Sequence, residues 1–447
     1  MALYRIGRKL LATGAITSIA LLTACSGGDT QETTAPAACA PAASGEKVTL
    51  TFSSWVPGMQ KTVDLWNKQN PDIQVQYKEV VAGQRGTYQT YANQIKAGNA
   101  GDLGMVEFDS MPSFRLQDGL ANIGACPGVQ EGVKAFVPWT VSQVGFGEAG
   151  ALYGVPQDIG PLALYYRKDL FEQNGIAVPK TWDEFYTAAK QVKAKGATIT
   201  NFPPDASSYL AALAWQNGAK WFDNKNGTWT VSMTDDKTEQ VAEYWQRMID
   251  EKLVDSVPAL TDTQFKALDT SREWSVVGAA WTAKLLENGS PATSGKWAVA
   301  PLPQWQAGQQ ASGNWGGSTT VVFKNSKHPA EAAKFALWAF GNLDALALNN
   351  ANGGQFPATT AGESELPALN EPYPYFGGQV IWKTFQEAAP QVNQSWQWGP
   401  TMTQTFADLS DGLSAAVNGK GTVLDALTEA QKKTITTMKS QALQVAE

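Results

Sequence analysis

Apolar and polar positions alternate with period two over Val48–Phe52 (VTLTF) and Ile73–Val81 (IQVQYKEVV), which predicts two half-buried strands. Between them Met59, Val63, Leu65 and Trp66 recur at helical spacing, so a helix is predicted over Met59–Asn70, closed by Pro71. A second helix is predicted over Tyr88–Ala97, ended by Gly98, and a third strand over Leu103–Phe108. Strand, helix, strand, helix, strand is the order of a parallel sheet covered by helices. Ligands of such sheets gather at the carboxyl ends of the strands, where Trp55, Glu107 and Asp109 fall.

The densest pattern is Leu152–Val178. Leu152–Val155 reads as a strand stopped by Pro156, and Gln157–Pro161 as a polar crossing. Leu162–Tyr166 is a continuous apolar run, the mark of a strand buried on both faces. Tyr165 and Tyr166 point to opposite faces of that strand, so one of them belongs to the core. Arg167–Asn174 reads as a helix that Gly175 terminates in the left-handed conformation. Thr181 and Glu184 form the pattern of a capping box at the start of the helix Thr181–Lys195. Further helices are predicted over Ser208–Gln216, Lys237–Glu251, Asp262–Ser271 and Ala330–Gly341. Asn226-Gly227 reads as a hairpin turn between two short β-like runs. Val276–Trp281, Ala298–Pro303 and Thr319–Phe323 read as extended runs, the last entered from the Gly-rich GNWGGS. Residues 349–362 (NNANGGQFPATTAG) read as a loose segment. Gly145–Gly150 matches G-x-G-x-x-G but precedes a strand instead of following one, so it reads as a turn.

The N-terminus changes the picture. Arg5, Arg8 and Lys9 precede an apolar stretch, Leu10–Leu22, that is too short for a membrane span of about 20 residues. It ends in Leu22-Thr23-Ala24-Cys25, which resembles a bacterial lipobox and makes Cys25 the expected lipidation site after cleavage of residues 1–24. Residues 25–46 are rich in Ser, Thr, Ala, Pro and Gly and read as a flexible tether. A disulfide between Cys39 and Cys126 would staple that tether to the body; two free thiols are the alternative, and spacing alone does not choose.

With 447 residues the chain has length for two domains or one bilobal body. A net charge of −7 without a basic block beyond the N-terminus argues against nucleic-acid binding. The single histidine, His328, beside the start of an Ala-rich helix, removes multi-histidine metal sites and leaves little room for a histidine-based triad. No metal or cofactor is expected. The 17 tryptophans exceed what a core requires, leaving several for flat stacking surfaces.

Several segments resemble the family 1 extracellular solute-binding proteins of bacterial ABC importers, the maltose-binding-protein-like carbohydrate receptors. They are Gly154-Val155-Pro156 with its polar spacer and Ala163–Phe171, PKTWDEF (179–185), Gly278-Ala279-Ala280, WGGSTTVV (315–322), NGGQFPA (352–358) and GKGTVLDALTEAQKK (419–433). Arg167 stands where the family pattern has Asn or Asp. The resemblance runs through the mature chain in order. It implies an α/β, two-lobed periplasmic-binding-protein-like fold with the ligand cleft between the lobes. Crossings are expected near 157–162, 313–319 and 354–360, with an N-terminal lobe of 47–157 plus 318–357 and a C-terminal lobe of 158–317 plus 358–447. The implied function is a non-enzymatic, membrane-anchored, extracytoplasmic monomer that captures a sugar, foremost an oligosaccharide, and delivers it to the transmembrane subunits of an ABC permease.

A sugar ring has apolar C–H faces and a polar hydroxyl rim, so aromatic faces and carboxylates suit it. The candidate contacts are Trp55, Glu107, Asp109, Asp158, Trp281, Trp315, Gly316, Gly317, Trp382 and Trp398, with Asp158 foremost because it lies in the first crossing. The alternatives are an ABC receptor for a glycerophosphodiester or a polyamine, and a surface-anchored glycoside hydrolase. The hydrolase would need two carboxyls spaced at about 5 Å or about 6.5–9.5 Å, and the sequence holds no local acid-pair motif.

Overall fold

The computed structural model describes residues 39–446. The expected leader, the expected lipidation site Cys25 and the expected tether up to residue 38 lie outside them. Val48–Ser54 (β1) buries Val48, Leu50 and Phe52 on one face and leaves Thr49 and Thr51 exposed, as its alternation predicts. Ile73–Glu79 (β2) and Leu103–Glu107 (β3) pair with it in parallel on either side. The intervening helices, Met59–Gln69 and Thr87–Ala97, supply the crossovers.

The chain then adds three more strands to this sheet, which makes it mixed instead of parallel. Gly154–Ile159 (β4), Ser318–Val322 (β8) and Phe356–Pro357 (β9) add antiparallel strands, giving the order β9-β4-β8-β3-β1-β2. β8 lies between β3 and β4 and is buried at all five positions, so it reads as an unbroken run without alternation. β4 corrects the expected stop at Pro156, because the strand continues through it to Ile159. Two features tolerate the missing N–H. The β4–β8 register shifts between Ser318 and Thr319, beside Pro156, and β9 reaches only as far as Asp158.

A second sheet holds Leu162–Arg167 (β5), Ser275–Ala279 (β6) and Trp297–Pro301 (β7) in the order β6-β5-β7, all antiparallel. Tyr165 is wholly buried and donates its hydroxyl to the Ala279 carbonyl at 2.8 Å, while Tyr166 is half-buried. Arg167 forms a bidentate pair with Asp169 at 2.8 and 2.7 Å and also donates to the Leu268 carbonyl. Only Gly160 and Pro161 separate β4 of the first sheet from β5 of the second. The two sheets with their helices are the cores of two lobes.

Local chemistry explains the remaining boundaries. Thr181 accepts from the Glu184 N–H, but the Glu184 carboxylate reaches past Thr181 to the Lys180 N–H at 2.7 Å, so the box is displaced by one residue. Asn226 (φ 54°) and Gly227 (φ 85°) make the hairpin turn. Trp281 is not the end of a strand but the N-cap of the helix Thr282–Gly289. The segment expected to be loose from residue 349 begins as helix, Leu343–Gly353. Its asparagines are held by tertiary bonds that override their low propensity: Asn349 binds Thr62 and the Ala339 carbonyl, and Asn350 the Gln355 carbonyl. Among the described residues no helix is long and apolar enough to cross a membrane.

Cys39 and Cys126 form a disulfide with Cα atoms 5.1 Å apart, 87 residues apart in sequence. Beside it the Ala42 N–H donates to Glu331 at 2.7 Å, a second tie of the same segment to the body. Closing a loop of this length removes about 4 to 5 kcal/mol of unfolded-chain entropy in the loop-closure model. A Cys39→Ser/Cys126→Ser variant is therefore expected to melt several degrees lower with unchanged ligand affinity. Differential scanning calorimetry checks this, and an unchanged melting temperature would contradict the staple.

Glu273 is fully buried; one carboxyl oxygen accepts from Gln264 at 2.9 Å and the other has no partner. Burial pushes its pKa up to about 8. The folded chain therefore holds a proton that the unfolded chain releases near the ordinary glutamate value. The stabilisation is complete in mild acid and is lost as pH rises through 8. Unfolding free energy should fall by on the order of 1 kcal/mol per pH unit from this group between pH 5 and 8. Glu273→Gln, which resembles the protonated acid, should flatten that slope. Denaturant titrations at pH 5 and 8 measure it, and identical slopes in the two proteins would refute the assignment.

Candidate functional site

A cavity of about 580 Å³ opens between the two sheets, where the ends of several strands and crossings meet. Its first wall comes from the large sheet. β1 ends in the loop carrying Trp55, β2 leads into Ala82–Arg85, β3 ends at Glu107 followed by Asp109, and β4 supplies Asp158. The second wall comes from the other lobe through Asp205, Ser208, Ala259, Leu260, Trp281 and Leu285. Trp315, Gly316 and Gly317 close the space from the crossing that enters β8, and Gln355 from the joint between the helix Leu343–Gly353 and β9.

The crossings are bonded to each other. The Gly160 N–H donates to Asn314 at 2.7 Å, the Trp315 N–H to the Gly160 carbonyl at 2.8 Å, and the Leu162 N–H to the Gly313 carbonyl at 3.1 Å. At Gly160 a Cβ would lie 2.1 Å from the Trp315 carbonyl oxygen, so only glycine permits the approach. Gly316 and Gly317 follow with φ of 70° and 80°, a left-handed pair that turns the chain sharply into β8. The Ser318 N–H donates to the Asp158 carboxyl at 2.9 Å and so ties β8 to β4 where both strands reach the cavity.

Eight of the ten residues expected from the sequence are thus brought together: Trp55, Glu107, Asp109, Asp158, Trp281, Trp315, Gly316 and Gly317 line one space. Two are not. Trp382 is buried in its helix against Phe356 and Phe385 and faces a separate polar groove beside Glu371 and Tyr373. Trp398 is buried among Trp215, Trp396 and Phe406. Both segments look poor in apolar residues because their apolar partners come from distant parts of the chain.

Trp281 and Trp315 pack with ring centroids 4.8 Å apart at 57°. The Trp281 indole N–H donates to the Trp315 carbonyl and the Trp315 indole N–H to Ser208, each at 3.1 Å. Both polar edges are occupied, so the rings offer the cavity their apolar surfaces. On the first wall Trp55 meets Tyr88 edge-to-face at 5.9 Å. The Tyr88 hydroxyl donates to Glu107 at 2.8 Å and accepts from the Glu107 N–H at 2.9 Å, which fixes that carboxylate at the end of β3.

Burial raises three of the cavity's carboxyls, those of Glu107, Asp109 and Asp158, above the usual range. Asp158 is pushed up to about 7, with its bond from Ser318 opposing the shift. Glu107 is raised against the opposing Tyr88 bond, and Asp109 further still because Glu107 adds repulsion. Asp109 accepts from Ser110 at 2.8 Å.

Residues that sequence patterns did not single out complete the site. Gln355 is buried, lines the cavity, and has no partner for either amide atom. Its place in NGGQFPA, a Gly-rich joint, was the available signal. Arg85 lies at the rim and donates to the Ala259 carbonyl of the opposite lobe at 3.0 Å. Asp205 holds the Ala259 N–H at 2.9 Å, and Gln264 the Leu260 N–H at 2.7 Å. No periodicity marks these residues, because their role depends on the meeting of two distant loops. Among the described residues no group of three or more His, Cys, Asp or Glu side chains is placed to hold a metal ion.

Comparison with known proteins agrees with this architecture. The arabinooligosaccharide-binding protein of Bacillus subtilis (strain 168) is 26% identical over 288 residues, 62% of this chain and 64% of that protein. The lactose-binding protein of Rhizobium radiobacter is 29% identical over 253 residues, 54% of this chain and 58% of that protein. The chain thus spans less than two thirds of the length of each of these relatives. Among solved structures, the galacto-N-biose-/lacto-N-biose I-binding protein of the ABC transporter from Bifidobacterium longum, in complex with lacto-N-biose, superposes with a TM-score of 0.81 at 29% identity. That match covers 90% of this chain and 100% of that one. The ABC transporter associated binding protein from B. animalis subsp. lactis Bl-04, in complex with beta-1,6-galactobiose, gives 0.81 at 25% identity, with 90% and 100% covered. The family model for bacterial extracellular solute-binding proteins matches residues 51–346. With two lobes, linked crossings and a shared cavity in place, the chain belongs to the bacterial extracellular solute-binding protein family.

Proposed function

We propose that this protein is the receptor of an ABC importer, that it takes an oligosaccharide into the cavity between its lobes, and that it delivers the sugar to a membrane permease. The observation that carries the reading is the pairing, in one cavity, of apolar indole surfaces from Trp281 and Trp315 with the carboxyls of Glu107, Asp109 and Asp158. That set complements the two chemistries of a sugar ring. The volume, about 580 Å³, falls within the usual range for small-molecule sites of about 300–1,000 Å³. Relatives named for arabino-oligosaccharide and lactose, and structures holding lacto-N-biose and beta-1,6-galactobiose, support the ligand class. In this reading the protein performs no catalysis and works as an extracytoplasmic monomer tethered through lipidated Cys25. Its lobes divide near 157–162, 313–319 and 354–360, and ligand in the cleft favours the closed arrangement.

Protein lacking residues 1–24 should melt higher in the presence of its oligosaccharide, by mass action on the liganded state. Trp281→Ala should weaken binding on the order of tenfold or more, because an aromatic anchor in a pocket carries a large share of binding energy. Asp158→Ala should also weaken it while leaving the protein folded. Trp382→Phe, outside the cavity, should leave affinity unchanged. Thermal shift over a broad sugar panel followed by calorimetry measures all four. A panel without any sugar response, alongside a response to a glycerophosphodiester or a polyamine, would replace the sugar reading.

A further inference from the structure

Arg85 and Ala259 line the cavity from opposite lobes, and the bond of 3.0 Å between them joins the lobes at its rim. Among the described residues the Arg85 side chain makes no other hydrogen bond and no ion pair. The carbonyl it meets is presented by a loop that side chains hold rigid. Asn201 accepts from the Val257 N–H and donates to the Val257 carbonyl, each at 2.9 Å. Asp205 accepts from the Ala259 N–H, and Gln264 from the Leu260 N–H while it donates to buried Glu273 at 2.9 Å. All three N–H groups of Val257–Leu260 are thus satisfied, since Pro258 has none, and the Ala259 carbonyl is left for the other lobe. Leu260 stands at φ 50°, a left-handed conformation that a leucine keeps only where its surroundings hold it. The facing loop is fixed as well. Arg85 ends the turn Gly83–Arg85, its N–H donating to the Ala82 carbonyl at 2.8 Å, and the Thr87 hydroxyl donates to the Val81 carbonyl at 2.6 Å. Gly83 packs so closely on the Tyr88 ring that a Cβ would lie 2.2 Å from it. Elsewhere the lobes meet through less exposed groups, Trp139 with Trp215 at 5.9 Å and Gln143 with the Trp396 carbonyl at 2.9 Å. The Arg85 bond is exposed, and an exposed bond between two held loops breaks and re-forms more readily than packed aromatic rings.

We propose that Arg85 is a positioning residue that holds the mouth of the cavity shut over a bound ligand, through the Ala259 carbonyl, and so sets how slowly that ligand leaves. The inference rests on the reading of the cavity as the ligand site and adds the pair of groups that keeps its closed form. The guanidinium stays charged at every working pH, and its bond to a carbonyl is charge-assisted. Both loops are ordered before they meet, so forming the bond restricts little beyond the Arg85 side chain itself. The bond exists only once the lobes have come together. It is therefore absent while a ligand enters an open cleft and present when the ligand has to leave, so its loss speeds dissociation and leaves association nearly unchanged. Asn201 acts at one remove, because it holds Val257 and with it the loop that offers the carbonyl.

Two measurements on protein lacking residues 1–25 test this, with the Cys39–Cys126 disulfide intact. The first is the distance between spin labels on Val81→Cys and Asp262→Cys, exposed positions on either side of the mouth, in the free protein and with beta-1,6-galactobiose or lacto-N-biose added. The second is stopped-flow tryptophan fluorescence, which separates association from dissociation of the same two sugars. The expected result is a short, narrow label distance, most populated with sugar bound, that Arg85→Ala makes longer and broader. Dissociation should become about fivefold faster or more in that variant, the share of one hydrogen bond to a charged group, with association within about twofold. Asn201→Ala should reproduce part of the effect, and should add nothing in the Arg85→Ala background; circular dichroism confirms that each variant folds. Identical distance distributions with and without Arg85, in the free protein and with both sugars, would overturn the proposal. So would weaker binding at an unchanged distance, which would make Arg85 a direct ligand contact only. Fully additive effects of Asn201→Ala and Arg85→Ala would overturn the part given to the braced loop. A distance that responds to Arg85→Ala while neither sugar binds supports the closure by Arg85 and counts against the saccharide reading.

Discussion

The bonding of the first two crossings to each other is the constraint on which the rest of the molecule depends. Gly160 and Pro161 leave the large sheet for the small one, and Asn314–Gly317 come back, with reciprocal bonds between Gly160 and the Asn314–Trp315 segment. Chain passing between two lobes has no sheet neighbour on either side, and its backbone groups would otherwise need water. Pairing one crossing with the other satisfies them internally. The cost is geometric: Gly160 must lack a side chain because the Trp315 carbonyl occupies the place of a Cβ. In return Asp158, Trp315, Gly316 and Gly317 arrive at the cavity in fixed relation, each within two residues of a crossing bond.

Much of this was legible in the chain. The strands β1–β3, their helices, the apolar run of β5 and the turn at Asn226-Gly227 follow from periodicity and turn chemistry, which are local. Three Gly-rich polar joints could be marked because glycine and polar residues beside an apolar run have few other uses. The failures have one cause. β4 runs through Pro156 because β8 and β9, which enter the chain some 160 and 200 residues later, decide which of its N–H groups need partners. The helix ending at Gly353 survives its asparagines because Thr62 and the Ala339 carbonyl bond Asn349. The sheet is mixed because later strands join it.

The tryptophans show the same limit. Sequence context separates a loop tryptophan from one on an apolar helix face, and that suffices for Trp281 and Trp315. It does not suffice for Trp382 and Trp398, whose neighbours are polar in sequence and apolar in space. Trp215, Trp221, Trp396 and Trp398 form one aromatic cluster joining the helix Ser207–Gln216 to a segment about 180 residues further on, with Trp215 and Trp396 stacked at 8°. Much of the tryptophan surplus is thus consumed in holding distant segments of the chain together, and a count of tryptophans overstates the surface left for ligand.

The site itself is where the chain departs from the rules that govern the rest of it. Elsewhere many buried polar groups find partners, as Tyr165 does with a carbonyl, Arg167 with a carboxylate and Asn349 with a hydroxyl and a carbonyl, although single atoms such as one oxygen of Glu273 stay unpaired. In the cavity three carboxyls are raised by burial and Gln355 has no partner, an arrangement that costs folding free energy in the unliganded chain. Packed apolar residues would stabilise the same space better. Local violation of foldability within an otherwise consistent structure is what a binding site requires, because the unmet bonds are those a ligand supplies. The fully bonded crossings make that cost supportable: they hold the unsatisfied groups in place instead of letting them relax toward one another.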